Sequence, residues 1–146
     1  MVLAKIGKVL GVALLLAPAA AQAKPKWKTV YTGSDLTVAM DTAAVTPHPD
    51  GSYSVWTRWD YKTPRILENK KSYTRLVEKA ELKCSPIVMK RVNTALYDRA
   101  GTVVKEPEEL GASEVRLMSW DPPKRGSEGA RVWAAVCRNV NATKKK

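Results

Sequence analysis

The chain of 146 residues contains no phenylalanine, one histidine (His48) and two cysteines, Cys84 and Cys137. Three potential imidazole and thiolate ligands are too few for a four-ligand zinc centre, so we predict no metal site, and we expect no cofactor. The cysteines lie more than fifty positions apart, whereas catalytic redox pairs usually stand together as C-x-x-C. We therefore predict that they form a structural disulfide.

Long apolar runs are also missing from most of the chain. After residue 23, no run approaches the ~20 apolar residues that a membrane-spanning helix needs. The first 23 residues combine Lys5 and Lys8, a short apolar stretch and the sequence Ala21-Gln22-Ala23. This order is typical of a secretory signal peptide over residues 1–23. We expect the exported chain to reach an oxidising compartment, where two lone cysteines pair.

The predicted signal peptide also bears on the final location. No cysteine lies near the predicted cleavage site, so we expect no lipid anchor, and no transmembrane segment is predicted in the mature chain. The mature protein is therefore expected in the periplasm, at the cell surface or in the medium. We predict a single domain over residues 24–140, followed by a basic tail over 141–146.

Acidic residues are scarce, because 14 Asp and Glu stand against 25 Lys and Arg, a formal net charge of +11. A field of this sign attracts anionic surfaces, such as lipid head groups, glycans or acidic proteins. The same charge is also common in exported proteins simply for solubility. We expect a protein partner or an anionic ligand of the envelope or host, and no specific nucleic-acid partner.

Alternation of apolar and polar residues with period two predicts β-strands along most of the chain. Turn-forming residues separate these strands, as in the loops over 46–52 and 63–71. Residues 86–97 fit a helix nearly as well, but their β-branched residues and flanking proline and turn favour a strand. Residues 106–121 are predicted to be a long connection with room for one helical turn. The six predicted strands are 27–31, 36–41, 53–61, 72–84, 86–97 and 102–104.

The end of the chain changes to helical periodicity. Ser127 stands where an N-cap belongs, and Glu128 follows in the first turn, where a carboxylate favours the helix dipole. Spacings of three and four predict an amphipathic helix of about three turns, with the apolar stripe Ala130, Trp133, Ala134, Cys137 and Val140. Because Cys84 lies on the apolar side of its own strand, a disulfide would pin this helix to the sheet.

Trp56 and Arg58 are the candidate ligand contacts. They share one face of the strand over 53–61, whose other face we expect to be core, with Tyr53, Val55, Trp59 and Tyr61. Aromatic side chains beside cations stack on bases or sugars and serve as hot spots in protein interfaces. We therefore keep Trp56 and Arg58 as a possible contact surface.

No catalytic constellation is predicted. His48 lies between two prolines in a polar loop, and the sequence places no acidic or nucleophilic partner beside it, so we expect an exposed side chain. Asp41 and Asp60 lie on different predicted strands, which would allow them to face each other. Strand carboxylates are more often solvated or paired with a cation, however, and Arg58 is nearby.

Several short motifs follow one another in a distinctive order. W-x-x-V begins at Trp27, x-V-x-M-D ends at Asp41, and V-W-x-x-x-D-Y-K covers 55–62. S-Y-x-R opens the strand that runs to the first cysteine, and W-D-P-P with a later G-S precedes the helix that carries the second. In this order and spacing, from Trp27 to Arg138, the chain resembles the bacterial surface-adhesin protein E family.

The resemblance implies an α+β fold, with a single antiparallel sheet of about six strands and a C-terminal helix tethered to it by the Cys84–Cys137 disulfide. It also implies a non-catalytic surface protein, since the prototype adhesin binds host extracellular-matrix and serum proteins. We therefore expect an exported, non-catalytic binding protein that contacts host matrix or another anionic or protein ligand. One alternative is a periplasmic envelope or inhibitor protein that binds an anionic glycan or a secreted hydrolase. A third hypothesis is a small secreted hydrolase that uses Asp41, Asp60 or His48.

Overall fold

A computed structural model describes residues 23–144 of the chain, so residues 1–22 of the predicted signal peptide lie outside the described part. The described residues form seven strands: β1 (Trp27–Thr32), β2 (Leu36–Asp41), β3 (Thr46–Pro47), β4 (Tyr53–Ile66), β5 (Ser72–Cys84), β6 (Ile87–Tyr97) and β7 (Val103–Lys105). These strands make one antiparallel sheet in the order β1-β2-β4-β5-β6-β7, with the short β3 paired to β4.

The described residues also form two helices, α1 (Ala112–Leu117) and α2 (Glu128–Thr143). As predicted, Ser127 is the N-cap of α2, and its hydroxyl accepts a hydrogen bond of 3.1 Å from the backbone N–H of Ala130. The helix has 16 residues, and its buried side is wider than the predicted stripe. Val132, Ala135 and Val136 are buried with Trp133, Cys137 and Val140, whereas Ala130 and Ala134 are only half-buried.

The sheet has two unlike faces, because successive side chains of a strand point to opposite sides. The face covered by α2, here called the helix face, holds the core. There Trp59 of β4 lies against Trp133 of α2, with ring centroids 6.2 Å apart, and apolar side chains of the central strands are buried around them, among them Val38, Met40, Val55, Ala80 and Leu82. The other face, here called the open face, carries Trp56 and Arg58.

The predicted fold class is confirmed, and the ambiguous segment over 86–97 is a strand, because it pairs with β5 along its whole length. Two predicted loops are shorter than expected. Residues 46–47 form β3 against β4, and β4 continues to Ile66, where Arg65 and Ile66 pair opposite Tyr73 and Ser72. Both pairings extend a hairpin towards its turn, and the polar, turn-forming residues of these segments do not reveal how far a hairpin extends.

The disulfide between Cys84 and Cys137 is confirmed. It joins the end of β5 to α2, with a Cα–Cα distance of 5.6 Å. Among the described residues, neither helix is long and apolar enough to cross a bilayer. The helix is therefore held to the sheet both by its apolar side and by one covalent bond. On the open face, the segment that carries α1 covers part of the sheet, where Lys90 of β6 donates to the carbonyl of Val115.

Candidate functional site

Trp56 and Arg58 lie on the open face. A lysine stands beside the tryptophan, and a tryptophan stands beside the arginine. Lys79 stands directly across from Trp56 on β5, with its Nζ 6.0 Å from the centroid of the indole ring. The guanidinium of Arg58 lies 5.2 Å from the ring centroid of Trp27 on β1. All four side chains are half-buried. The open face therefore presents two neighbouring cation–aromatic pairs, here called the Trp–cation pairs, at distances where such contacts are attractive.

Arg58 is held in place by an ion pair as well as by the indole. Its Nε donates to Oδ2 of Asp60 at 3.0 Å, and the other oxygen of that carboxylate accepts from Nε of Arg75 at 2.6 Å. One carboxylate thus serves two guanidinium groups, which leaves a net positive charge at this position. The arrangement fixes the orientation of Arg58 without cancelling its charge.

Asp41 and Asp60 do not form a carboxylate pair. Asp60 stands opposite Thr37 on β2, and Asp41 lies four residues farther along that strand, about 13 Å away at the usual rise per residue. Oδ1 of Asp41 instead accepts from the backbone N–H groups of Lys26 and Ala43, at 2.9 and 3.0 Å. Asp41 is only 6% exposed, and its carboxylate secures the end of β2.

His48 is not the exposed side chain that the sequence suggested. It is half-buried, and its Nε2 lies 2.7 Å from Oγ of the buried Ser54 on β4. The nearby Asp50 contacts a different residue: its Oδ1 accepts from the hydroxyl and backbone N–H of Ser52, at 2.6 and 3.0 Å. The Ser52 hydroxyl holds the pKa of Asp50 below its usual value. The short β3 brings His48 to Ser54, because its pairing places Pro47 opposite Tyr53.

A groove with a volume of 610 Å³ lies next to the Trp–cation pairs, between the open face and the segment that carries α1. Lys90 is its most buried charged residue, at 6% exposure. Its Nζ donates to the carbonyl oxygen of Val115 at 3.0 Å and lies 4.6 Å from the ring centroid of Trp120. Lys79 belongs both to the groove wall and to the Trp–cation pairs. The wall carries positive and negative charges, and its other residues include His48, Ser54, Glu81, Glu109 and Arg116.

Sequence reasoning missed three contributors to this surface: Trp27, Lys79 and Trp120. The sequence assigns no role to Lys79, and the other two stand only within the W-x-x-V and W-D-P-P motifs. One signal for this surface was available in the sequence. Side chains alternate between the two faces of a strand, and this alternation places Trp56 and Lys79 on the water-facing sides of the predicted strands over 53–61 and 72–84. Which positions stand opposite each other depends on strand register, and the sequence alone does not fix it.

Within residues 23–144, no group of three or more His, Cys, Asp or Glu side chains is arranged to hold a metal ion. The open face combines the flat aromatic surface of Trp27 and Trp56 with the fixed cations Arg58 and Lys79. Side chains of these types can contact anionic and aromatic groups of another molecule.

Comparison with known proteins finds a family model that matches the chain. The family model described as "Surface-adhesin protein E" matches residues 27–138, which is most of the chain and includes the sheet, both cysteines and most of α2. No curated protein and no solved structure matches the chain significantly.

Proposed function

The chain belongs to the surface-adhesin protein E family, and on that premise we propose that its open face binds an anionic protein ligand through the Trp–cation pairs. Membership of the family implies a binding role at the cell surface. The Trp–cation pairs, formed by Trp56 with Lys79 and Trp27 with Arg58, are the observation that carries the proposal.

Tryptophan and arginine are the residues most often found at the energetic centre of protein interfaces. Here they are pre-positioned by neighbouring strands rather than by a mobile loop, so little side-chain entropy is lost when a ligand binds. The net charge of +11 adds a long-range attraction for acidic partners that weakens as salt increases. Host extracellular-matrix and serum proteins are the ligand class proposed for this surface.

The proposed role is non-catalytic. The nearest approach to a catalytic arrangement within the described residues is the contact between His48 and Ser54. A nucleophile and base of this kind require a third group that orients the imidazole, and the carboxylate of Asp50 is bonded to Ser52 instead. We propose that the His48–Ser54 contact fastens the loop before β4 at the rim of the groove.

Binding to a panel of matrix and serum proteins tests the surface directly. We expect Trp56→Ala to weaken the strongest interaction by about tenfold or more, and Lys79→Gln to reduce both the affinity and its dependence on salt. Arg138→Ala is the matched control, because Arg138 is an exposed cation on α2, on the other side of the sheet. Thermal unfolding of each variant confirms that the fold is kept. Equal losses in the Arg138 variant, or none in the Trp56 variant, would overturn the proposed surface.

Export to the cell surface is the second part of the proposal, and the disulfide supports an oxidising destination. The alternative is a periplasmic protein that binds an anionic glycan or a secreted hydrolase. Protease treatment of intact cells, compared with a periplasmic extract and probed with one antibody, separates the two. Removal of the protein by protease supports the adhesin role, whereas protection together with recovery in the periplasmic extract refutes surface binding.

A further inference from the structure

A buried carboxylate on the helix face is not explained by the proposed binding surface. Glu78 of β5 is 1% exposed and stands between Thr57 of β4 and Thr94 of β6. Its Oε2 lies 3.3 Å from Nε of Arg91, yet this oxygen has no hydrogen-bond partner within the described residues. Burial raises the pKa of Glu78, while the charge of Arg91 opposes that rise. A carboxylate in this environment is costly unless it serves a partner.

Arg91 is that partner, and it extends away from the core. Its side chain is 62% exposed, and it lines a cavity of 390 Å³ between β6, the segment over 118–124 and the start of α2. Glu78 contacts the guanidinium through Nε, which leaves the two Nη groups outside the ion pair. An arginine has five N–H donors in a rigid fork. The buried carboxylate therefore holds one side of the guanidinium while another remains available at the cavity.

The cavity wall combines apolar and positively charged groups. Its apolar surface comes from Met89, Met118, Pro122, Pro123 and Trp133. Lys124 provides a second cation, and Ser127 and Gly129 place the N-terminal end of α2 at the wall, where the helix dipole favours an anion. One carboxylate, Asp121, also lines the cavity. The two cations and one carboxylate give the cavity wall a net charge of about +1. This charge suits a ligand that carries a single negative charge better than a ligand that carries two.

We propose that this cavity binds a small apolar molecule that carries one carboxylate, with the Arg91 guanidinium as its ion-pair partner and Glu78 as the residue that positions Arg91. The volume lies near the lower end of the range of about 300–1,000 Å³ for small-molecule sites, so a medium-chain or aromatic acid is the matching size. The planar fork of arginine fits a carboxylate. The cavity is on the helix face, so this proposal is independent of the Trp–cation pairs on the open face.

Titration of the isotope-labelled chain with octanoate, followed by NMR, tests the proposal at the site itself. We expect saturable shifts of the backbone amides of Met118 and Gly129, and binding of neutral octan-1-ol at least about tenfold weaker, since a charge-assisted contact is lost. Equal affinity for the acid and the alcohol would refute the role of Arg91, and the absence of saturable shifts with octanoate would refute the site.

Variants separate recognition from folding. Arg91→Gln should weaken octanoate binding by about tenfold while leaving octan-1-ol unaffected, and Glu78→Gln should cause a smaller loss, because Arg91 keeps its charge but loses its anchor. The double variant Glu78→Gln/Arg91→Gln removes both charges, leaves no unpaired ion behind and should still fail to select the acid. Arg138→Gln on the exposed side of α2 is the control. Wild-type selectivity in the double variant would overturn the proposal even if either single variant were unstable.

Discussion

Reduction of the Cys84–Cys137 disulfide should cost about 4 kcal/mol of folding free energy. The bond joins residues separated by 53 positions. In the chain-entropy model, closing a loop of this length removes about 14 cal/mol/K from the unfolded chain, which is about 4 kcal/mol at about 298 K. Since domains of this kind are stable by about 5–15 kcal/mol in total, loss of the bond should remove a large share of the stability.

Urea denaturation with and without a thiol-free reductant measures this difference on a single sequence. Tryptophan fluorescence is a suitable signal, because Trp59 and Trp133 lie in the core where α2 packs on the sheet. The double variant Cys84→Ala/Cys137→Ala is the control, and its unfolding should be insensitive to reductant. It should also be slightly less stable than the reduced wild-type chain, because Cys137 is buried and its replacement leaves a small cavity.

A difference below about 1 kcal/mol between the oxidised and reduced chains would refute the entropy argument, which assigns the bond several times that value. Such a result would mean that the unfolded chain already keeps Cys84 and Cys137 close together. A second contradiction would be a reductant effect of equal size in the double variant, since that variant has no bond to break.

Two further predictions concern the buried charges. Glu78→Gln should change how the free energy of unfolding depends on pH. Burial raises the folded-state pKa of Glu78 above its usual 4.5. The stabilisation from the bound proton is therefore present below about pH 4.5 and is lost as the pH rises through the folded-state pKa. The wild-type melting temperature should therefore fall relative to that of the variant as the pH rises above about 4.5, and parallel curves would contradict this. Lys90→Met keeps the side-chain volume but removes the charged donor to the Val115 carbonyl, which among the described residues then accepts only from the backbone N–H of Met118. Urea unfolding should therefore show a loss of about 1.5–3 kcal/mol, the range for a hydrogen bond from a charged group; wild-type stability would refute the role of Lys90 in securing α1.

Much of the fold could be predicted from the sequence because the local signals agree with the final structure. The strand over 72–84 has the predicted bounds, and Ser127 caps the last helix where its spacing indicated. The segment over 86–97 was ambiguous by periodicity alone. Its strand conformation follows from the short connection at Ser85 and Pro86, which returns the chain directly beside β5.

The parts that could not be predicted depend on which residues of neighbouring strands come together. The alternation of side chains places Glu78 on the core face of its strand, although its residue type favours water. The approach of Arg91 reduces the cost of burying it. The contact between His48 and Ser54 likewise depends on the pairing of β3 with β4. Both contacts depend on strand register and on how side chains of neighbouring strands meet. The alternation of apolar and polar residues in the sequence predicts neither of these.

The disulfide also determines how the molecule responds to mechanical tension. When the ends of the described chain are pulled apart, force passes through the sulfur–sulfur bond and bypasses everything between Cys84 and Cys137. Those 53 positions would otherwise add about 180 Å of extended chain. β6, β7, α1 and the first part of α2 are therefore shielded from stretching. Force extends only the segments outside the loop, so Trp27 and Trp56 on the open face bear the load while the cavity beside Arg91 does not.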